Sequence, residues 1–444
     1  MQRVNVCDYR TGICEIMHKL KTATLGCKVN QYETEFVRQA LIDAGYHEPV
    51  ANETADLCIV NTCTVTNEGD AKSRQLVRRL ARDNPEARIV VMGCYATRAP
   101  EEVASLPQVV EVVTDKRELP DLLGRFGVMD VPTGISSFGN RHRAFVKVQD
   151  GCLLRCSYCI IPQVRPELTS RPVDHILDEV RRLVDNGYSE VVLTGIHLGH
   201  YGVDWNLHRR RDQWTRLSDL VRQIVELDGD FRVRLSSIEA TEVTRELVNV
   251  MAEYPHRICP HLHICLQSGS DSVLRRMHRR WGARRFLDRC ALVKQTLDRP
   301  ALTTDVIVGF PGETDSEFQE TCDVVREVGF SKIHIFPFSS RRGTPAAEMP
   351  HQISKQIKTE RGRELTQIES ELQKTYFTSL IGNPMRVLIE TVVDQATHRV
   401  AGTSCRYAPV ELESDSSSLG QLVAVKAVNL QNNRLLGITT SRDL

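Results

Sequence analysis

The segment CLLRCSYC places Cys152, Cys156 and Cys159 at C-x3-C-x2-C. Structural zinc takes four protein ligands and ferredoxin-type clusters take four thiolates, yet no further cysteine follows until Cys259. Three thiolates on a four-iron cluster leave one iron open to chelate a ligand, so the odd number is itself the informative feature. Three more cysteines occur in the contexts LGCKVN, NTCTVT and MGCYAT, as Cys27, Cys63 and Cys94. They are 36 and 31 residues apart, so only the fold can bring them to one place. Scattered cysteines are otherwise small buried hydrophobes, and Cys7, Cys14, Cys58, Cys259, Cys265, Cys290, Cys322 and Cys405 read as core filler.

The elements that would position these residues follow from the apolar pattern. From Lys19 to about Gly127 the runs KLKTATL, ADLCIVNT, ARIVVMG and VVEVV alternate with helical patterns, which implies a parallel sheet covered by helices, a first α/β domain. Cys27, Cys63 and Cys94 follow its first three strands, at the carboxyl ends where open parallel sheets gather ligands. Two of the three follow glycine, which permits a close backbone turn. After the Pro/Gly/Ser-rich stretch VPTGISSFGN come six strand candidates, Ala144–Val148, Glu190–Thr194, Phe231–Leu235, His261–Leu266, Leu302–Val308 and Lys332–Phe336. Helical patterns separate them, predicting a partial (β/α)6 parallel barrel with CLLRCSYC directly after its first strand. Lys355 to about Ser379 reads as one polar connector helix. Beyond Asn383-Pro384 strict alternation predicts a small all-β barrel. The expected organisation is an extension over 1–18, an α/β domain over 19–130, a linker over 131–140, the partial barrel over 141–350, the connector over 351–380 and the terminal barrel over 381–444. Residues 1–16 lack periodicity, and Met17 reads as a plausible true start.

The chain has 444 residues with 57 Lys+Arg against 57 Asp+Glu, 41% hydrophobic and 26% charged. Disordered, fibrous and polybasic classes are excluded. No apolar stretch approaches the length of a membrane span and the first twenty residues carry Arg, Asp, Glu and Lys without an apolar h-region, so a cytoplasmic protein is expected. Fourteen cysteines in a chain this size point to metal or redox chemistry rather than to a disulfide framework. Basic residues gather at Lys72, Arg74, Arg78, Arg79 and Arg82 opposite the stripe Leu76, Val77 and Leu80, again over Arg275–Arg289, and at Arg341-Arg342. The terminal barrel carries six basic and six acidic residues and is neutral.

In order along the chain, TLGCKVNQYETE, NTCTVT, GCYA, QDGCLLRCSYCIIP, TGIHLGHYG, RLSSIEATEVT, HICLQSGSDSVLRRMHRRW, DVIVGFPGET and SSRRGTPAA resemble the methylthiotransferase family of radical S-adenosylmethionine (SAM) enzymes. The terminal all-β piece is similar to the TRAM domain of that family. The wording TLGCKVNQYET resembles the branch acting on threonylcarbamoyladenosine in tRNA. Two places depart from the family pattern, Leu153-Leu154 where polar residues are common and Pro166 where glycine is usual after Arg165.

The resemblance implies two [4Fe-4S] clusters, one on Cys152, Cys156 and Cys159 that cleaves SAM, and one on Cys27, Cys63 and Cys94 that holds or supplies sulfur. It implies SAM contacts at Tyr158, Thr194, Gly195, Ser236, Glu239 and Gln267, with Gly309–Gly312 at another strand end. Substrate contacts are expected at Arg341 and Arg342, with tRNA and a flavodoxin- or ferredoxin-type electron donor as partners and the sulfur donor left open. His197, His200, His261 and His263 read as structural histidines near the site. The expected reaction is methylthiolation of C2 of N6-threonylcarbamoyladenosine at tRNA position 37. Alternatives are the same chemistry on isopentenyladenosine tRNA or on a ribosomal protein, and a non-catalytic RNA-binding protein with structural zinc.

Overall fold

A computed structural model of the chain describes residues 5–7, 14–16, 18–139, 141–206, 208–414 and 416–440. The chain divides into two compact units, Met1–Ser137 with Ile160–Pro166, and Phe138–Cys159 with Glu167–Leu444.

In the first unit, β1 (Asn5–Cys7) and β2 (Cys14–Ile16) pair antiparallel, a hairpin within a stretch whose sequence shows no period; Met17 lies outside the described residues. The sheet proper is β3 (Leu20–Thr24), β4 (Leu57–Thr62), β5 (Arg88–Gly93) and β6 (Val109–Val112), parallel and in that order. Side chains alternate across a strand, and β4 feeds two cores. Cys58 and Val60 pack with Leu76, Val77 and Leu80 of helix Asn67–Asp83, whereas Leu57 and Ile59 pack with Val37, Ala40 and Leu41 of helix Lys28–Asp43. Both faces are covered, which is why LCIVNT is buried throughout. The Gly/Ser-rich stretch is held rather than loose: Gln39 Oε1 accepts from Ser136 N at 2.7 Å and Ile135 is fully buried.

In the second unit, β7 (Arg143–Asp150), β9 (Glu190–Gly195) and β10 (Arg232–Leu235) are parallel, with the short β8 (Thr169–Ser170) antiparallel on the β7 edge. After Ser236 the chain continues as β11 (Ser237–Ile238), parallel to β12 (His261–Ile264), followed by β13 (Ala301–Val308) and β14 (Lys332–Pro337). These are the six expected strands of a partial barrel. Helix Lys355–Ser379 corrects the sequence reading of a mere connector: Leu365, Ile368 and Phe377 are buried, and Arg361 reaches Glu313 at 2.7 Å and Asp315 at 2.7 Å. Two of its polar residues, Arg361 and Glu369, are buried with the apolar ones, and the helix packs against the barrel. Strands β15 (Pro384–Asp394), β16 (Arg399–Ser404), β17 (Pro409–Glu413), β18 (Leu422–Gln431) and β19 (Arg434–Thr439) close a barrel in the order β15-β16-β17-β19-β18. Among the described residues no helix is long and apolar enough to cross a membrane.

Candidate active site

In the N-terminal unit Cys27 caps the start of helix Lys28–Asp43, Cys63 follows β4, and Cys94 opens helix Cys94–Arg98 directly after β5. The register Thr24↔Asn61 and Thr62↔Gly93 levels the three strand ends, so the cysteines share one edge of the sheet. Two glycines allow this approach. Gly26 has φ +107°, and a Cβ there would lie 3.1 Å from Cys63 Cβ; Gly93 has φ +98°, and a Cβ there would meet Asn61 Oδ1 at 2.2 Å and Thr62 O at 2.5 Å. Asn30 ties the loops together, donating to Leu25 O at 2.9 Å and Thr62 O at 3.0 Å while its carbonyl accepts from Asn61 at 3.0 Å. Burial raises the Cys63 thiol pKa above its ordinary value, a hydrogen bond from Val65 opposes this, and the charges of Cys94 and Cys27 add to the rise. The three groups therefore sense one another electrostatically.

Arg165 enters this site from Ile160–Pro166, which belongs to the same unit although it follows the second cysteine motif in sequence. Its Nε donates to Cys94 Sγ at 3.4 Å, and its two terminal nitrogens donate to Glu33 at 3.0 and 3.1 Å and to Asn30 Oδ1 at 2.9 Å. Lys116 also holds Glu33. Burial works against the Arg165 charge, but Glu33, Cys94 and Cys27 outweigh it and raise its pKa. Sequence reasoning assigned no role to Asn30, Glu33 or Arg165. The available signal was CKVNQYE, where polar residues three and six positions after Cys27 fall on the buried side of an otherwise apolar helix face.

In the second unit Cys152, Cys156 and Cys159 occupy the loop after β7, with Cys156 buried and the others half-buried. Ser157 anchors the loop, its N donating to Met277 O at 3.1 Å and its hydroxyl to Arg276 O at 2.7 Å. Arg279 gathers the expected residues: it donates to Cys156 Sγ at 3.5 Å and Tyr158 Oη at 3.4 Å and pairs with Glu239, which also accepts from Trp281 Nε1 at 3.2 Å. Thr194, Gly195 and Ser236 stand at the ends of β9 and β10, and Gln267 follows β12 with φ +65°. They sit where barrel sites are built but take no part in the Arg279 network among the described residues. Arg341 and Arg342 part company: Arg341 is 1% exposed, and only Arg342 presents its guanidinium to solvent.

His197 has both ring nitrogens partnered, as a satisfied structural histidine does: its Nδ1 lies 3.6 Å from Cys152 Sγ, its Nε2 lies 3.3 Å from Glu242, and its ring stacks on His200 at 3.6 Å. His261 and His263 both meet Thr303 Oγ1, at 3.2 and 3.0 Å, as structural histidines do.

Among the described residues, the side-chain groups with at least three ligand atoms all within 4.8 Å of one another are His197/His200/Glu242 and His263/Asp305/His334. Neither cysteine triad is that tight. The Arg279 Nε is buried without a hydrogen-bond partner beside Cys156, a donor still available to a bound group.

Residues 146–325 match the model of the radical SAM superfamily, and residues 19–115 match that of the uncharacterized protein family UPF0004. The fold agrees: the radical SAM methyltransferase TsrM from Kitasatospora setae superposes with a TM-score of 0.53 at 14% identity, over 74% of this chain and 75% of that one. Fold and cysteine motif together define a radical-SAM enzyme. The threonylcarbamoyladenosine tRNA methylthiotransferase MtaB of Bacillus subtilis is 38% identical over 91% of this chain and 92% of its own length. The tRNA-2-methylthio-N(6)-dimethylallyladenosine synthase of Aquifex aeolicus is 31% identical over 91% and 94%. The chain belongs to the radical-SAM methylthiotransferase family.

Proposed function

We propose that this enzyme methylthiolates C2 of N6-threonylcarbamoyladenosine at position 37 of tRNA, forming 2-methylthio-N6-threonylcarbamoyladenosine. The observation that carries the reading is the pair of three-cysteine sites at strand ends, in a chain whose MtaB relatives reach 38% identity across nearly their whole length. An aromatic C2–H is neither acidic nor open to easy substitution, so side-chain acid–base chemistry does not suffice and a cofactor must do the hard step. A [4Fe-4S] cluster and SAM supply the one-electron cleavage that activates such a C–H bond. Cys152, Cys156 and Cys159 would hold that cluster, leaving one iron for SAM. A second cluster on Cys27, Cys63 and Cys94 would hold or supply sulfur, and a flavodoxin- or ferredoxin-type protein would deliver electrons.

The chain's own residues bind and orient. Arg279, fixed by Glu239 and Trp281, keeps a cation against Cys156 and orients the Tyr158 hydroxyl. Phe310 meets the Tyr158 ring edge-on, 6.5 Å between centroids, and restricts its motion. Arg275, Arg280, Arg284 and Arg285 are exposed near the site's rim helices and suit RNA phosphates, whereas Arg276 is engaged by Glu317 at 2.9 Å. A single-stranded anticodon loop yields an unstacked base at little cost. The threonylcarbamoyl carboxylate suits the exposed Arg342, while an isopentenyl group would ask for an apolar pocket. Neither triad is among the described groups whose ligand atoms lie within 4.8 Å of one another, which favours the cluster reading over a zinc protein. Mass spectrometry of nucleosides from a strain lacking the gene tests the reading: 2-methylthio-N6-threonylcarbamoyladenosine should disappear and the unmethylthiolated nucleoside accumulate. Loss of 2-methylthio-isopentenyladenosine instead would overturn it.

A further inference from the structure

The two cysteine sites lie in different folds, yet each repeats one local arrangement. In the N-terminal unit Arg165 is 5% exposed, donates to Cys94 Sγ at 3.4 Å, and is gripped through both ends of its guanidinium by Glu33 at 3.0 and 3.1 Å. In the barrel the Arg279 side chain is 2% exposed, donates to Cys156 Sγ at 3.5 Å, and pairs with Glu239. Each arginine has a further fixed contact, Asn30 Oδ1 at 2.9 Å for Arg165 and the Trp281 ring at 4.9 Å for Arg279. In both cases the carboxylate and the extra contact leave the guanidinium one orientation, with an N–H aimed at a sulfur.

A buried arginine tied to a glutamate would be an ordinary structural ion pair if its remaining donors met backbone carbonyls, as those of Arg232 do at Arg386 O and Thr403 O. Here a donor of each meets cysteine sulfur, Cys94 Sγ for Arg165 and Cys156 Sγ for Arg279. A cation and an N–H···S hydrogen bond favour the more negative, reduced form of an iron–sulfur cluster and raise its reduction potential.

We infer that each three-cysteine site carries its own arginine–glutamate clamp, Arg165–Glu33 at Cys94 and Arg279–Glu239 at Cys156, which sets the reduction potential of the cluster held there. The inference rests on the reading that both triads hold clusters. The arginines are positioning residues: they act through the cysteine, and the two clamps tune the two sites separately.

The test is potentiometry followed by electron paramagnetic resonance on the full-length, anaerobically loaded enzyme, with iron counted in each sample. Arg165→Gln should move one of two reduction waves to lower potential and leave the other unchanged. Arg279→Gln should move the other wave, and Arg165→Lys, which keeps the charge but loses the fork, should restore part of the shift. If Arg165→Gln sheds iron, Glu33→Gln takes its place. That variant keeps the guanidinium, removes its counter-charge and should shift the same wave upward. Unchanged potentials in iron-replete Arg165→Gln and Arg279→Gln, or no shift in Glu33→Gln, overturn the proposal. A Cys27/Cys63/Cys94→Ala variant that keeps all its iron and both waves would instead remove the two-cluster reading itself.

Discussion

Cys58, Cys290 and Cys322 are sealed in packed cores. Burial pushes the thiol of Cys58 up to about 11 and those of Cys290 and Cys322 up to about 12. They should stay unmodified when the native protein meets iodoacetamide at pH 8, because the thiolate is the reactive form; labelling read by peptide mass spectrometry would expose an error. Of the six proposed ligands, Cys94 and Cys156 each lie beside a guanidinium group, that of Arg165 and that of Arg279. Protein loaded anaerobically should bind about eight irons, two four-iron clusters, with about half lost in Cys152/Cys156/Cys159→Ala and about half in Cys27/Cys63/Cys94→Ala. Stoichiometric zinc with negligible iron would contradict this. Both cysteine sets were legible in the sequence, one from its spacing and the other from its position after successive strands. Arg165 and Glu33 were not, since the contact joins positions 132 residues apart and no periodic pattern reports a partner at that range.

At the scale of elements, convergence of the N-terminal cysteines depends on how closely the β4 and β5 ends approach. Gly93→Ala would force a Cβ to within 2.2 Å of Asn61 Oδ1 at a φ of +98°. It should cost about 1–3 kcal/mol and lower the iron content by disturbing Cys94, the next residue; a variant with wild-type melting temperature and iron would refute the role given to that turn. All six barrel strands could be read from their apolar runs, because a buried parallel strand is nearly continuous in hydrophobicity. Helix Lys355–Ser379 was misjudged as a connector for the opposite reason. It buries Arg361 and Glu369 beside its apolar residues, and buried ion pairs look like solvated charge in a sequence.

At the scale of the whole molecule, the terminal barrel is fastened to the partial barrel through Glu190. This fully buried carboxylate accepts from Arg232 at 2.6 Å and Arg234 at 2.8 Å, and the same arginines donate to the backbone of Thr403 and Ser404. Burial alone would raise the Glu190 pKa, but Arg232, Arg234 and Arg143 hold it well below the ordinary carboxylate range. A depressed folded value stabilises the protein above the unfolded pKa of about 4.5 and is lost as pH falls below it toward the folded value. Thermal scans from pH 6 down to 3 should show this acid loss in the wild type and a flatter profile in Glu190→Gln. Glu190→Ala, which leaves buried arginines uncompensated, should cost about 3–5 kcal/mol at neutral pH. The neutral charge balance of this barrel was visible in the sequence. All four described arginines of the barrel are spent in ion pairs, Arg386 with Asp230, Arg406 with Asp298, and Arg399 and Arg434 with Glu411. Arg284 and Arg285 of the partial barrel are exposed, and Arg284→Glu/Arg285→Glu should weaken tRNA binding at least tenfold in filter binding at 0.1 M salt while leaving iron content unchanged.

The central claim is the substrate, and one measurement reaches it directly. Purified enzyme with both sites loaded, given SAM, reductant and a sulfur source, is incubated with two versions of one tRNA, one carrying N6-threonylcarbamoyladenosine at position 37 and one with unmodified adenosine, and the nucleosides are resolved by mass spectrometry. Formation of 2-methylthio-N6-threonylcarbamoyladenosine on the first tRNA and no methylthiolation of the second is the predicted result. Equal methylthiolation of the tRNA with unmodified adenosine, or none of the tRNA carrying N6-threonylcarbamoyladenosine, would contradict it.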